Sequence, residues 1–70
     1  MDRQTLLVLM QRRPFEPFAL QLSSGQVVEV RHPEMAALGK SRIVIFDSET
    51  DDMEIVSLLH VTSIRTAQAA

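Results

Sequence analysis

From Pro17 to Arg31 apolar and polar side chains alternate with a period of two, and Ser23-Ser24-Gly25 divides the alternation into two halves. Phe18, Leu20 and Leu22 fall on one side of the first half, with Ala19 and Gln21 on the other. In the second half Val28 and Val30 alternate with Val27 and Glu29. The pattern predicts a hairpin of strands over residues 17–22 and 26–31. A two-residue loop at Ser24-Gly25 sets Leu20 opposite Glu29 and Phe18 opposite Arg31, bringing charge onto the apolar face. A three-residue loop instead pairs Leu22 with Gln26, Leu20 with Val28 and Phe18 with Val30. It also places Gly25 where a type I turn followed by a bulge needs a left-handed residue. This second register satisfies pattern and turn chemistry together and leaves Ala19, Gln21, Val27 and Glu29 outside.

Ahead of the hairpin, Asp2 to Arg13 reads as a helix capped by Asp2, rich in good helix formers, with Arg12 and Arg13 at its negative end. Leu6, Leu7, Leu9 and Met10 fill an arc of roughly 160° on a helical wheel, and Val8 faces the other way between Gln4 and Arg12. Pro14 ends the helix. Pro14 and Pro17 stiffen the link Arg13 to Phe18, which places Phe15 in a seam between helix and sheet.

After the hairpin, His32-Pro33-Glu34-Met35-Ala36-Ala37-Leu38-Gly39 reads as one or two helical turns closed by Gly39. Ile43-Val44-Ile45-Phe46 is a continuous apolar run, the signature of a strand (41–46) covered on both faces. Asp47 to Asp52 is an acidic loop. A strand over 53–58 follows, with Val56 and Leu58 inward and Ile55 leaving its face ambiguous. Leu59-His60-Val61 forms a tight turn, residues 62–66 a last strand with Ile64 inward, and Ala67 to Ala70 a frayed tail. The expected fold is a single α+β domain over 1–70, mainly β: an N-terminal helix followed by a five-stranded, strongly bent antiparallel sheet or small barrel.

Size changes the picture. At 70 residues a domain buries only about 60% of the surface its unfolded chain exposes, and such cores gain from a disulfide, a metal or a partner subunit. The chain has no cysteine, so association is the expected supplement, and a cytoplasmic location is expected. A formal charge of −2 and three phenylalanines as the whole aromatic content argue against nucleic-acid binding as the main role, because phosphate neutralisation and base stacking carry such binding. No apolar run approaches the roughly 18 residues of a membrane span, and Leu6 to Met10 lacks the features of a signal peptide.

Three groups of side chains invite chemistry. His32, Glu34 and His60 are a zinc or general-base set if they converge, although each histidine sits in a turn where local hydrogen bonding suffices. Asp47, Glu49, Asp51 and Asp52 lack the glycine and spacing of a calcium loop and read as a solvated connection. Arg12, Arg13, Arg31, Lys40 and Arg42 are candidate nucleic-acid contacts if one rim gathers them. No nucleophile stands at a recognisable spacing from a base, and no glycine loop cradles phosphate. No catalytic residue, metal or cofactor is therefore expected.

The order of helix, hairpin, strand, strand, turn and strand, closing on Val56-Ser57-Leu58-Leu59-His60-Val61-Thr62-Ser63-Ile64, resembles the small barrels of the Sm-like and SH3-like kind. The chain also resembles a group of short bacterial proteins of uncharacterised role that carry Arg-Pro-Phe-x-Pro-Phe, a glycine turn, His-Pro-Glu and Leu-Leu-His-x-Thr. These motifs stand here at Arg13 to Phe18, Gly25, His32 to Glu34 and Leu58 to Thr62. The Sm resemblance implies an RNA-binding ring, but the strand that should carry Asp and Asn around an apolar pair reads Ser41-Arg42-Ile43-Val44, and no Arg-Gly occurs. The expected function is thus a non-catalytic module that self-associates or binds a protein, with Leu7, Val8, Val44 and Phe46 as subunit contacts. The alternative is an Sm-like RNA-binding ring.

Overall fold

The hairpin forms in the three-residue register. In the computed structural model, which describes residues 1–66, strand β1 (Phe18–Leu22) pairs with β2 (Val27–Val30) so that Phe18 faces Val30 and Leu20 faces Val28. At the tip Gly25 N donates to Leu22 O and Leu22 N to Gln26 O, each at 2.9 Å. Gly25 takes φ +93°, and a Cβ there would meet nothing within 4 Å. The need for glycine is therefore conformational, not steric. Phe18, Leu20, Leu22 and Val30 are buried.

Helix α1 spans Arg3–Gln11, and Asp2 caps it by accepting from Gln4 N. It is shorter at both ends than the predicted 2–13. Asp2 and Arg12 take extended backbone as the caps, while the Arg13 guanidinium turns back onto Met10 O and Arg12 O. Leu6 and Leu9 enter the core, and Phe15 packs against it 5.9 Å from the Phe18 ring. Arg3 Nε donates to Gly39 O and the N-terminal ammonium to Leu58 O, which pins the start of the helix to two later turns.

The remaining strands are β3 (Ala36–Leu38), β4 (Arg42–Asp47), β5 (Asp52–Ser57) and β6 (Val61–Thr66). They correct the predicted architecture. Six strands form two three-stranded antiparallel sheets, ordered β2-β1-β6 and β3-β4-β5, rather than five strands in one sheet or a closed barrel. Two short 3-10 turns explain the division. Pro33–Met35 interrupts the path from β2 to β3, because Pro33 has no N–H to give a ladder. Leu58–His60, capped by the Ser57 hydroxyl, interrupts the path from β5 to β6.

Strand β3 lies where the sequence predicts helix. Ala36-Ala37-Leu38 suits a helix locally, but the edge of β4 needs a backbone partner, and pairing overrides propensity. The Lys40-Ser41 turn closes this second hairpin with Gly39 N donating to Arg42 O at 2.7 Å. A Cβ on Gly39 would come within 3.3 Å of that same oxygen. In β6 the ladder shifts beside Gln21 and Leu22, and Thr62 donates its hydroxyl to Gln21 O. The residues predicted to fray, Ala67 to Ala70, lie outside the described residues.

Inward side chains of both sheets meet Leu6 and Leu9 in one core: Ile43, Ile45 and Val56 from the second sheet, Leu58 and Val61 from the turn and strand after it. Two left-handed residues give opposite expectations. Gly25→Ala should lower unfolding stability by about 1–2 kcal/mol, and Gly25→Asn by less. Asp51, at φ +62°, already bears that strain, so Asp51→Gly should raise stability by up to about 1 kcal/mol. Chemical denaturation of the variants checks both. A stable Gly25→Ala or a weakened Asp51→Gly would contradict the turn assignment.

Candidate functional site

Strand β4 is apolar on both faces, but the chain covers only one. Ile43 and Ile45 point into the core, whereas Val44 is half-buried and Phe46 is 41% exposed on the opposite side. Within one chain the second face of this strand is left uncovered by helix α1 and the first sheet, which both lie on the inner side. The outward side continues across the sheet, because Val44 stands directly opposite Ile55, and Phe46 opposite Met53. Ile55 and Met53 are 65% and 63% exposed. Ala37, small and exposed, stands beside Val44 on the other flank. Period two therefore lines up one outward row after another without a charged side chain between them.

Charge enters only at the two ends. Arg42, outward in the same parity, closes one end beside the Lys40-Ser41 turn, and Arg3 reaches that turn through Gly39. The Asp47 to Asp52 connection closes the other, with Asp47 Oδ1 accepting from Glu49 N and Asp51 N donating to Asp47 O. These bonds make it an ordered turn.

Behind the sheet, a cleft of about 430 Å³ separates β2 from the β4–β5 hairpin, lined by Glu29, Asp47, Glu49, Asp52, Glu54 and Arg31 among others. Gln26 reaches Glu54 with a 2.7 Å hydrogen bond. The tip of the first hairpin is also tied to the last turn: Ser23 N donates to His60 O at 2.8 Å, and Ser23 Oγ lies 3.3 Å from His60 Nδ1. Sequence spacing does not bring this serine and histidine together. These contacts staple the first hairpin to the last turn, and among the described residues no carboxylate hydrogen-bonds the imidazole.

The predicted site residues fall in several places. Arg12 pairs with Glu16 and Arg31 with Glu29, while Lys40 and Arg42 sit at the turn beside the helix start. Arg12 and Arg13 lie past the far end of α1, roughly 14 Å of helical rise from Arg3. His60 meets the hairpin tip, whereas His32 follows the opposite end of β2. Among the described residues no three His, Asp or Glu side chains come together in a way that could hold a metal ion. Leu7 is half-buried, and Val8 is 51% exposed on the helix, a single exposed side chain of a kind common on protein surfaces. Val44 and Phe46 belong to the continuous face. Met53 and Ile55 complete it; the alternation along the sequence leaves Ile55 ambiguous and does not single out Met53, and the signal that finds them is their parity against β4.

No helix among the described residues is long and apolar enough to cross a membrane. Compared with known proteins, the chain matches no family model, no curated protein and no solved structure.

Proposed function

We propose that this chain is a non-catalytic module that works by associating with itself through the outward face of β3, β4 and β5. The observation that carries the reading is the apolar block formed by the cross-strand pairs Val44–Ile55 and Phe46–Met53 on a face that no described part of the chain covers. Contiguous apolar surface of this kind, rimmed by polar residues, marks interaction sites. Chain length supports the same reading, since a core drawn from 70 residues gains from burial against a second subunit.

The basic residues support RNA binding less well. Two of them, Arg12 and Arg31, are engaged by carboxylates, and Arg31 borders the acidic cleft.

Sedimentation velocity over a dilution series tests the proposal. The wild-type chain should reach at least twice 7.9 kDa as concentration rises. Ile55→Lys, and independently Met53→Lys, should weaken association at least about tenfold while leaving the far-ultraviolet circular dichroism intact. Val27→Lys, also more than half exposed but on the first sheet, should change nothing. A folded wild-type monomer at every concentration would overturn the reading.

A further inference from the structure

We infer that the occupant of the outward face is a second copy of this chain, docked face to face about a two-fold axis running across the strands, so that the Lys40–Arg42 end of each copy lies over the Asp47–Asp52 loop of the other. The inference rests on the self-association proposed above and adds an orientation to it. Area makes the ends matter. Two six-residue strands, β4 and β5, and the three-residue β3 give the face a footprint of at most about 14 by 20 Å, whereas a standard interface buries roughly 800 Å² on each partner. The apolar block alone is too small, and whatever surrounds it must also match.

What surrounds it is polarised along the strands. One end carries Arg3, Lys40 and Arg42, and the other carries Asp47, Glu49, Asp51 and Asp52, all exposed. Among the described residues none of the seven forms an ion pair. Asp47, Glu49 and Asp52 also border the cleft behind the sheet. A sheet is a single layer, however, so carboxylates at its end act on both faces within the roughly 8–10 Å over which charge is felt at ordinary salt.

With the strands of both copies aligned, two face-to-face arrangements have two-fold symmetry. An axis along the strands sets acidic loop against acidic loop and arginine against arginine, which is repulsive at both ends. An axis across the strands reverses the strand direction of one copy and sets unlike ends together twice. Placed over the Ile45–Glu54 pair, that axis puts Val44 of one copy over Phe46 of the other, and Ile55 over Met53. Arg42, three residues and about 10 Å from the axis, then comes over the start of the acidic loop. The same patch serves both copies, so the contact closes at a dimer. Complementary charge sets orientation more than affinity.

Paired charge reversals test the arrangement, again by sedimentation velocity on the full chain. Lys40→Glu/Arg42→Glu makes both ends acidic, and Glu49→Lys/Asp51→Gly/Asp52→Lys, which leaves Asp47 as the one carboxylate at its end, makes both basic. Each variant alone should dimerise at least tenfold more weakly than wild type, and mixing the two should restore a 1:1 dimer, because every contact is then between unlike charges. Arg12→Glu/Arg13→Glu changes net charge as much as the first variant, away from the face, and should dimerise like wild type. Should Ile55→Lys dissociate the dimer while both reversals leave it unchanged, or should the Arg12/Arg13 control weaken it equally, the orientation is wrong although self-association stands. A wild-type chain that never associates removes both.

Discussion

Because strand side chains alternate, the left-handed backbone at Gly25 decides the direction of every side chain in the first hairpin. With that residue at the third loop position, Phe18, Leu20 and Leu22 point the same way as Val28 and Val30. One residue of slip would turn such a set outward and strip the core of residues among the four it draws from this hairpin, Phe18, Leu20, Leu22 and Val30. The tip then does a second job. Ser23 hydrogen-bonds to the turn after β5, and Gln26 reaches Glu54 on β5 itself, so the first hairpin is held to the second sheet by polar contacts as well as by packing.

The core built on this hairpin is single and small, and that has a consequence for the second sheet. Strand β4 must supply Ile43 and Ile45 to the inside. Its β-forming, apolar alternate residues Val44 and Phe46 then have to face out. On β5 the alternation repeats, with Val56 inside and Ile55 and Met53 outside. A polar residue at the exposed positions Phe46, Met53 and Ile55 would satisfy the fold of one chain equally well, since no other element of the described chain covers that face. In the self-association proposed above, the apolar choice at Val44, Phe46, Met53 and Ile55 serves the interaction surface, and the charges at the two ends of the strands give that surface a direction.

Much of this was legible in the residues, and the exceptions have physical causes. The hairpin register, the Asp2 cap, the inward side of the helix and the strand at Ile43 to Phe46 follow from local chemistry and period, and they stand in the structure. Strand β3 was not legible. Ala36, Ala37 and Leu38 prefer helix by themselves, and only the unpaired edge of β4 makes them a strand. Gly39-Lys40-Ser41 between two apolar stretches was the hairpin signal to weigh against that preference. The division into two sheets was also hidden: the residues show turns after Arg31 and around Leu59 to Val61, but not that the strands on either side of each turn join different sheets. Half of the candidate surface was visible as the two-sided run at Val44 and Phe46. Ile55 stayed ambiguous because a strand with apolar residues on consecutive positions gives no parity of its own, and its face is set by pairing with β4.

The most direct test of the account is methyl NMR on dilution, since it reads both faces of the same strands at once. Val44, Ile55 and Met53 methyl resonances should move together as the chain is diluted, while those of Ile43, Val56 and Val30 in the core and Val27 on the other sheet stay in place. Core methyls that move with dilution, or outward methyls of β4 and β5 that do not, would contradict it.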